Sequence, residues 1–157
     1  MTTKFDLDDF DRRLLELLKN DARTPVPDLA DAIGLSAPAC YRRIRRLRSI
    51  GAIEGEVAVV APGALGWNLS MIVLLTLERE GNRTIRELMA QWAEHPQVVE
   101  CAHVTGDYDF AIRLLARDME DYADLVQRLF SDDDRVRQFK TLVVIGEARQ
   151  HRSKKAA

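Results

Sequence analysis

The chain has 157 residues, 46% of them hydrophobic and 31% charged, which suits one domain or two small ones with a real core but excludes a large catalytic scaffold. Its formal net charge of −2 excludes a uniformly basic coat while leaving room for a local basic element. No apolar run is long enough to cross a bilayer and no secretory leader opens the chain, so cytoplasmic residence without a membrane partner is the expectation.

Charge is distributed unevenly. Residues 1–55 hold ten Lys/Arg and nine Asp/Glu; acids dominate the opening, Arg42, Arg43, Arg45, Arg46 and Arg48 crowd one short stretch, and no acid occurs from Ala32 to Ile53. Phe10, Leu14, Leu17 and Leu18 recur at three- and four-residue spacings and predict a helix over about Asp9–Asn20 with one buried stripe. A second helix is predicted over Pro27–Ile33, with Leu29, Ala30 and Ile33 inward and the proline in the first turn, where its missing amide has no helical partner to lose. Pro25 and Val26 offer this helix no side-chain cap.

A third helix follows the turn Gly34-Leu35-Ser36. Ser36 can cap it, Ala37 and Pro38 fit its first turn, and Cys40, Ile44 and Leu47 share its inner face. At about 100° per residue, Pro38, Arg42, Arg45 and Ser49 fall nearly opposite that stripe, with Tyr41 and Arg46 flanking. Gly51 is the stop, and Ile53–Val60 predicts an extended connector or small wing.

The second half changes period repeatedly. Leu69–Leu77 predicts a strand with apolar residues on both faces, so helices would cover one face and a partner chain the other. A helix over Thr84–Ala93 turns Ile85, Leu88, Met89 and Trp92 inward. Strands Val98–Thr105 and Tyr108–Ala116 would be joined tightly at Gly106-Asp107. A helix from about Asp118 carries Met119, Tyr122, Val126 and Leu129 at helical spacing, and Val136–Ile145 predicts the last strand. The order strand, helix, strand, strand, helix, strand is the ferredoxin-like βαββαβ pattern, and the whole chain reads as α+β behind an N-terminal helix-turn-helix.

The third helix carries the sharpest chemistry. Arginine pairs bidentately with guanine O6 and N7, so Arg42 and Arg45 are expected nearest base edges of double-stranded DNA, with Arg43, Arg46 and Arg48 at phosphates or in surface ion pairs and Ser36 and Tyr41 orienting the backbone. The alternative is an arginine-rich solvated face, or a helix-turn-helix serving protein contacts. One such helix reads too little DNA alone, and a homodimer would set two of them on successive major-groove faces.

Val104-Thr105-Gly106-Asp107-Tyr108-Asp109 offers a turn with exposed backbone donors and two carboxylates able to accept a ligand ammonium, although Gly-Asp alone favours a plain hairpin. Cys40 and Cys101 read as packing residues, and His95 and His103 complete neither a metal quartet nor a hydrolytic triad, so no metal, cofactor or catalytic set is expected. Asp132-Asp133-Asp134 reads as a solvated loop. The tail Arg149-Gln150-His151-Arg152-Ser153-Lys154-Lys155 is a second positive patch.

The run LDDFDRRLLELLKNDARTPVPDLADAIGLSAPACYRRIRRLRSIGAI, followed by VTGDYDFAIRLLARDMEDYADLV, resembles the Lrp/AsnC family of feast/famine transcriptional regulators, and the likeness covers most of residues 7–147. The resemblance implies a helix-turn-helix domain over 1–55, a connector strand and linker over 56–67, a ferredoxin-like effector-binding and oligomerisation domain over 68–147, and a basic tail over 148–157. It makes Ser36, Pro38, Arg42 and Arg45 candidates for the DNA-facing helix. It places an amino-acid or similar effector between subunits near Thr105, Gly106, Asp107, Tyr108 and Asp109. It further implies a non-enzymatic regulator at the nucleoid, dimeric through its C-terminal domain and able to form tetramers or octamers. The runner-up function is a metabolite-sensing oligomer without specific DNA binding.

Overall fold

The computed structural model describes residues 5–79 and 81–146, which divide into two compact units at residues 58 and 59. The basic tail lies outside the described residues.

In the first unit, α1 (Asp9–Asn20) is started by a reciprocal cap: Asp8 Oδ1 accepts the Asp11 N–H at 2.8 Å, and Asp11 Oδ2 accepts the Asp8 N–H at 3.4 Å. α2 (Val26–Ile33) has no side-chain cap at Pro25 and ends on Gly34, whose φ of 77° is the left-handed setting glycine adopts without a Cβ penalty. Ser36 Oγ accepts the Ala39 N–H at 3.4 Å and opens α3 (Ala37–Ser49). The end of α3 is sealed by the Ala52 and Ile53 N–H groups, which both donate to the Leu47 carbonyl. Leu14, Leu29, Ala30, Ile33, Cys40, Ile44 and Leu47 form the core. Phe10, expected in the buried stripe, is 37% exposed and instead carries the Arg43 guanidinium 5.4 Å over its ring.

The expected connector strand is absent. Residues 54–61 form neither helix nor strand, and a 3₁₀ turn at Pro62–Leu65 follows. Val57, Val59 and Val60 alternate with small residues as a strand would, but pair with no backbone ladder among the described residues and stay exposed.

The second unit comprises β1 (Leu69–Leu77), α4 (Asn82–Ala93), β2 (Val98–His103), β3 (Phe110–Ala116), α5 (Met119–Val126) continuing into a π-helical turn at Gln127–Ser131, and β4 (Val136–Val143). The strands form one antiparallel sheet in the order β2-β3-β1-β4, the ferredoxin-like topology. Val73 pairs with Ile112 on one side and Thr141 on the other. Period-two alternation sends Met71, Val73, Leu75 and Leu77, with Phe110, Ile112 and Leu114, onto one face, where Leu88, Trp92, Tyr122, Leu125 and Phe130 meet them. Trp92 stands edge-on to Phe110 and Phe130, and its Nε1 donates to the Leu129 carbonyl in the π turn. Met119, at helical spacing with Tyr122, Val126 and Leu129, is exposed and occupies the first helical position after the Asp118 cap. The other sheet face presents Ile72, Leu74 and Leu115, half-buried, and Leu142, exposed, so α4 and α5 cover only one side.

Both hairpin strands stop short of their expected ends, and residues 104–109 form a loop rather than a two-residue turn. The cause is Asp109: its N–H donates to the Leu75 carbonyl and its Oδ2 accepts the Leu77 N–H at 2.7 Å, which draws the loop onto the end of β1.

Candidate functional site

Helical periodicity puts two different arginine sets on α3. Pro38, Tyr41, Arg42, Arg45 and Ser49 are exposed, and Tyr41, Arg42, Arg45, Arg46 and Ser49 line a shallow open groove of about 330 Å³. Arg42 and Arg45 have no hydrogen bond or ion pair to any of the described residues. A guanidinium held on a rigid helix without an internal partner retains all its donors for a ligand.

The remaining arginines are engaged. Arg43 Nη1 donates to Asp8 Oδ2 at 2.7 Å and Asp11 Oδ1 at 2.8 Å. Arg46 donates to Asp11 Oδ2 at 2.9 Å and to the Asp6 carbonyl at 2.8 Å, and Arg48 to Glu56 Oε1 at 2.5 Å. Of the two roles expected for these three, phosphate contact or surface ion pair, the described residues show the ion pair. Asp11, with its neighbour Asp8, is the residue that sequence reasoning missed: it is only 1% exposed, and its carboxylate joins α1 to α3. The available signal was the acid pair at i and i+3 immediately before an apolar helix, followed by an arginine run without local acids. Hydrogen bonding from the Asp11 N–H, reinforced by Arg43, holds the Asp8 carboxyl below its ordinary range, and Asp11 and Asp8 together raise that of Arg43.

In the second unit Thr105, Gly106 and Asp107 are exposed at the loop tip, and Gly106 has a φ of 125°, a setting that side-chain-bearing residues avoid. Tyr108 and Asp109 are half-buried. The two carboxylates therefore differ: Asp109 is bonded to β1, whereas Asp107 has no hydrogen-bond partner among the described residues. Thr76, beside that anchor on β1, has a buried Oγ1 with no hydrogen-bond partner among the described residues. On the uncovered face Arg113 donates to Ser70 Oγ at 3.3 Å.

Burial raises the thiol of Cys40 and pushes that of Cys101 up to about 11, away from nucleophilic use. Asp133, expected in a solvated loop, is clamped by Arg135 at 2.6 and 2.8 Å, which lowers its carboxyl pKa. Among the described residues no three His, Cys, Asp or Glu side chains are grouped to hold a metal, and no helix is long and apolar enough to cross a membrane.

Two family models match this pair of units: an AsnC-type helix-turn-helix domain over residues 7–48 and an Lrp/AsnC ligand binding domain over residues 70–154. The chain belongs to the Lrp/AsnC family. It is 39% identical over 140 residues to the HTH-type transcriptional regulator y4tD of Sinorhizobium fredii, covering 89% of this chain and 83% of the relative. It is similar to the crystal structure of AldR from Mycobacterium tuberculosis, with 32% identity, a TM-score of 0.80, and 92% of this chain and 97% of that one covered. A Neisseria meningitidis transcriptional regulator solved as a complex with L-Met shares the fold at 22% identity and a TM-score of 0.82, over 91% and 92% of the two chains. Family membership makes the protein a helix-turn-helix transcriptional regulator, with DNA binding assigned to α1–α3 and effector modulation to the sheet unit.

Proposed function

We propose that the protein binds operator DNA as a homodimer, with α3 of each subunit in a major groove, Arg42 and Arg45 at base edges, and Ser36, Pro38 and Tyr41 against the flanking backbone. Arg43 and Arg46 border this face from their ion pairs with α1. The observation that carries the reading is the division of labour along α3: Arg42 and Arg45 stay unpaired on an exposed face while their three neighbours are bound internally. In a two-fold dimer the recognition helices are spaced about 34–36 Å apart, or a multiple of that. The apolar uncovered sheet face supports a dimer built through the C-terminal unit, from which tetramers or octamers can grow.

An amino acid or related small metabolite is the proposed effector, held near Thr105, Gly106, Asp107, Tyr108 and Asp109, with Asp107 receiving the ammonium. The L-Met bound by the Neisseria relative and the ligand-binding family match support this class. By favouring one arrangement of dimers, the effector would change how well several α3 helices fit successive half-sites. The protein works on this reading without catalysis or a cofactor, in the cytoplasm at the nucleoid.

Genomic selection with the purified protein, followed by fluorescence anisotropy on selected and scrambled duplexes, tests it. Arg42→Ala or Arg45→Ala should each lose about 1–3 kcal/mol on the selected duplex and little on the scrambled one. Folded variants with unchanged affinity and selectivity would overturn the assignment, and amino-acid binding without any duplex preference would leave only the sensing role.

A further inference from the structure

We propose that Asp11 is a positioning residue for DNA recognition: its buried carboxylate bridges Arg43 and Arg46 on α3, fixing the rotation of that helix and withholding two of its cations from phosphate. The inference rests on the DNA-binding reading above and adds a determinant of selectivity to it.

The geometry is specific. Each oxygen of Asp11 takes one arginine, Oδ1 from Arg43 at 2.8 Å and Oδ2 from Arg46 at 2.9 Å. The two arginines sit three residues apart on one flank of α3, so rolling the helix would lengthen one bond or the other. Asp8 adds a second acceptor for Arg43 at 2.7 Å, and the Asp6 carbonyl a second for Arg46 at 2.8 Å. Asp11 itself is held by the helix cap it shares with Asp8, so the cluster is built on backbone as well as on charge.

The consequence is a sorting of positive charge. Five arginines on just under two turns of helix would bind any duplex through phosphates, an attraction that carries no sequence information. With Arg43 and Arg46 neutralised from behind, the charge reaching the groove is concentrated on Arg42 and Arg45, where base edges can be read. Asp11 thus weakens indiscriminate binding more than it weakens operator binding, and selectivity is the difference between the two.

The test is the salt dependence of binding by the full-length Asp11→Asn variant, an isosteric neutral change, on selected and scrambled duplexes. Release of the arginines steepens the slope of log affinity against log salt by about 0.9 for each new phosphate contact, tightens scrambled-duplex binding several-fold at low salt, and narrows the ratio between duplexes. Adding Arg46→Gln to Asp11→Asn should recover about one contact of that slope. A purely structural Asp11 would instead weaken both duplexes at an unchanged slope, and that result overturns the proposal. If Asp11→Asn fails to fold by circular dichroism, Arg46→Gln alone carries the test: an Arg46 held by Asp11 makes no phosphate contact, so its loss should leave the slope unchanged, and a slope shallower by about 0.9 overturns the proposal. Wild-type protein without any duplex preference would sink the DNA-binding reading itself, an outcome distinct from a wild type that binds while Asp11→Asn keeps its slope.

Discussion

Replacing Leu47 by alanine tests the claim that α3 is held from beneath by a small core of its own. Leu47 is 0% exposed and belongs to the cluster formed by Leu14, Leu29, Ala30, Ile33, Cys40 and Ile44, which shares no buried residue with the sheet cluster. Burying a leucine contributes about 1.5–3 kcal/mol, and the cavity left behind brings a typical Leu→Ala loss to about 3–5 kcal/mol. A unit of this size has only about 3–8 kcal/mol of stability in total. The loss should lower its thermal midpoint by roughly 12 °C or more, at about 4–8 °C per kcal/mol. Both tryptophans, Trp67 and Trp92, lie in the second unit, so their fluorescence follows the sheet while far-ultraviolet circular dichroism follows all helices. Leu47→Ala should split the dichroism curve, with an early loss of helix and of operator binding, and leave the fluorescence transition where it was. A fluorescence midpoint that falls in step with the dichroism would refute two separate cores, and an unmoved dichroism curve would refute the role of Leu47.

The carboxylates of the hairpin loop should separate by function. Asp109→Ala strands the Leu77 N–H and should cost about 1–3 kcal/mol in the fluorescence-monitored transition, whereas Asp107→Ala should stay within about 0.5 kcal/mol of wild type there and weaken amino-acid binding in calorimetry; wild-type-like calorimetry would remove Asp107 from the effector site. Cys101 supplies a pH test: burial raises its thiol from 9.0 to about 11, so the unfolded chain loses this proton first and the stabilisation, complete below pH 9, is lost as pH rises towards 11. The midpoint of wild type should therefore fall relative to Cys101→Ala across that window, and parallel profiles would contradict it.

Most elements were legible because their signals are local. The spacing of Cys40, Ile44 and Leu47, the Ser36 cap, the glycine at position 34 and the alternation along Leu69–Leu77 each act within a few residues, and each appears in the folded chain where the pattern put it. The connector valines carried the same kind of local signal and misled, because a strand also needs a neighbouring edge to bond with and the described residues provide none there. The hairpin loop lengthened for a related reason: Asp109 found acceptor and donor partners on β1, 32 residues away from Leu77 in sequence.

The arginine run shows the division most clearly. Composition and helical period establish five cations on one helix with an apolar underside, and a resemblance to the Lrp/AsnC pattern tells what such a helix is for. Which of those cations remain available depends on Asp8 and Asp11, 32 to 35 positions earlier, being brought against Arg43 and Arg46 when α1 packs beside α3. Periodicity is a property of neighbouring residues along one helix and turns Arg42 and Arg45 outward, whereas pairing of charges is a property of two helices in contact, and it is the packing of α1 that engages Arg43 and Arg46 while Arg42 and Arg45 stay unpaired.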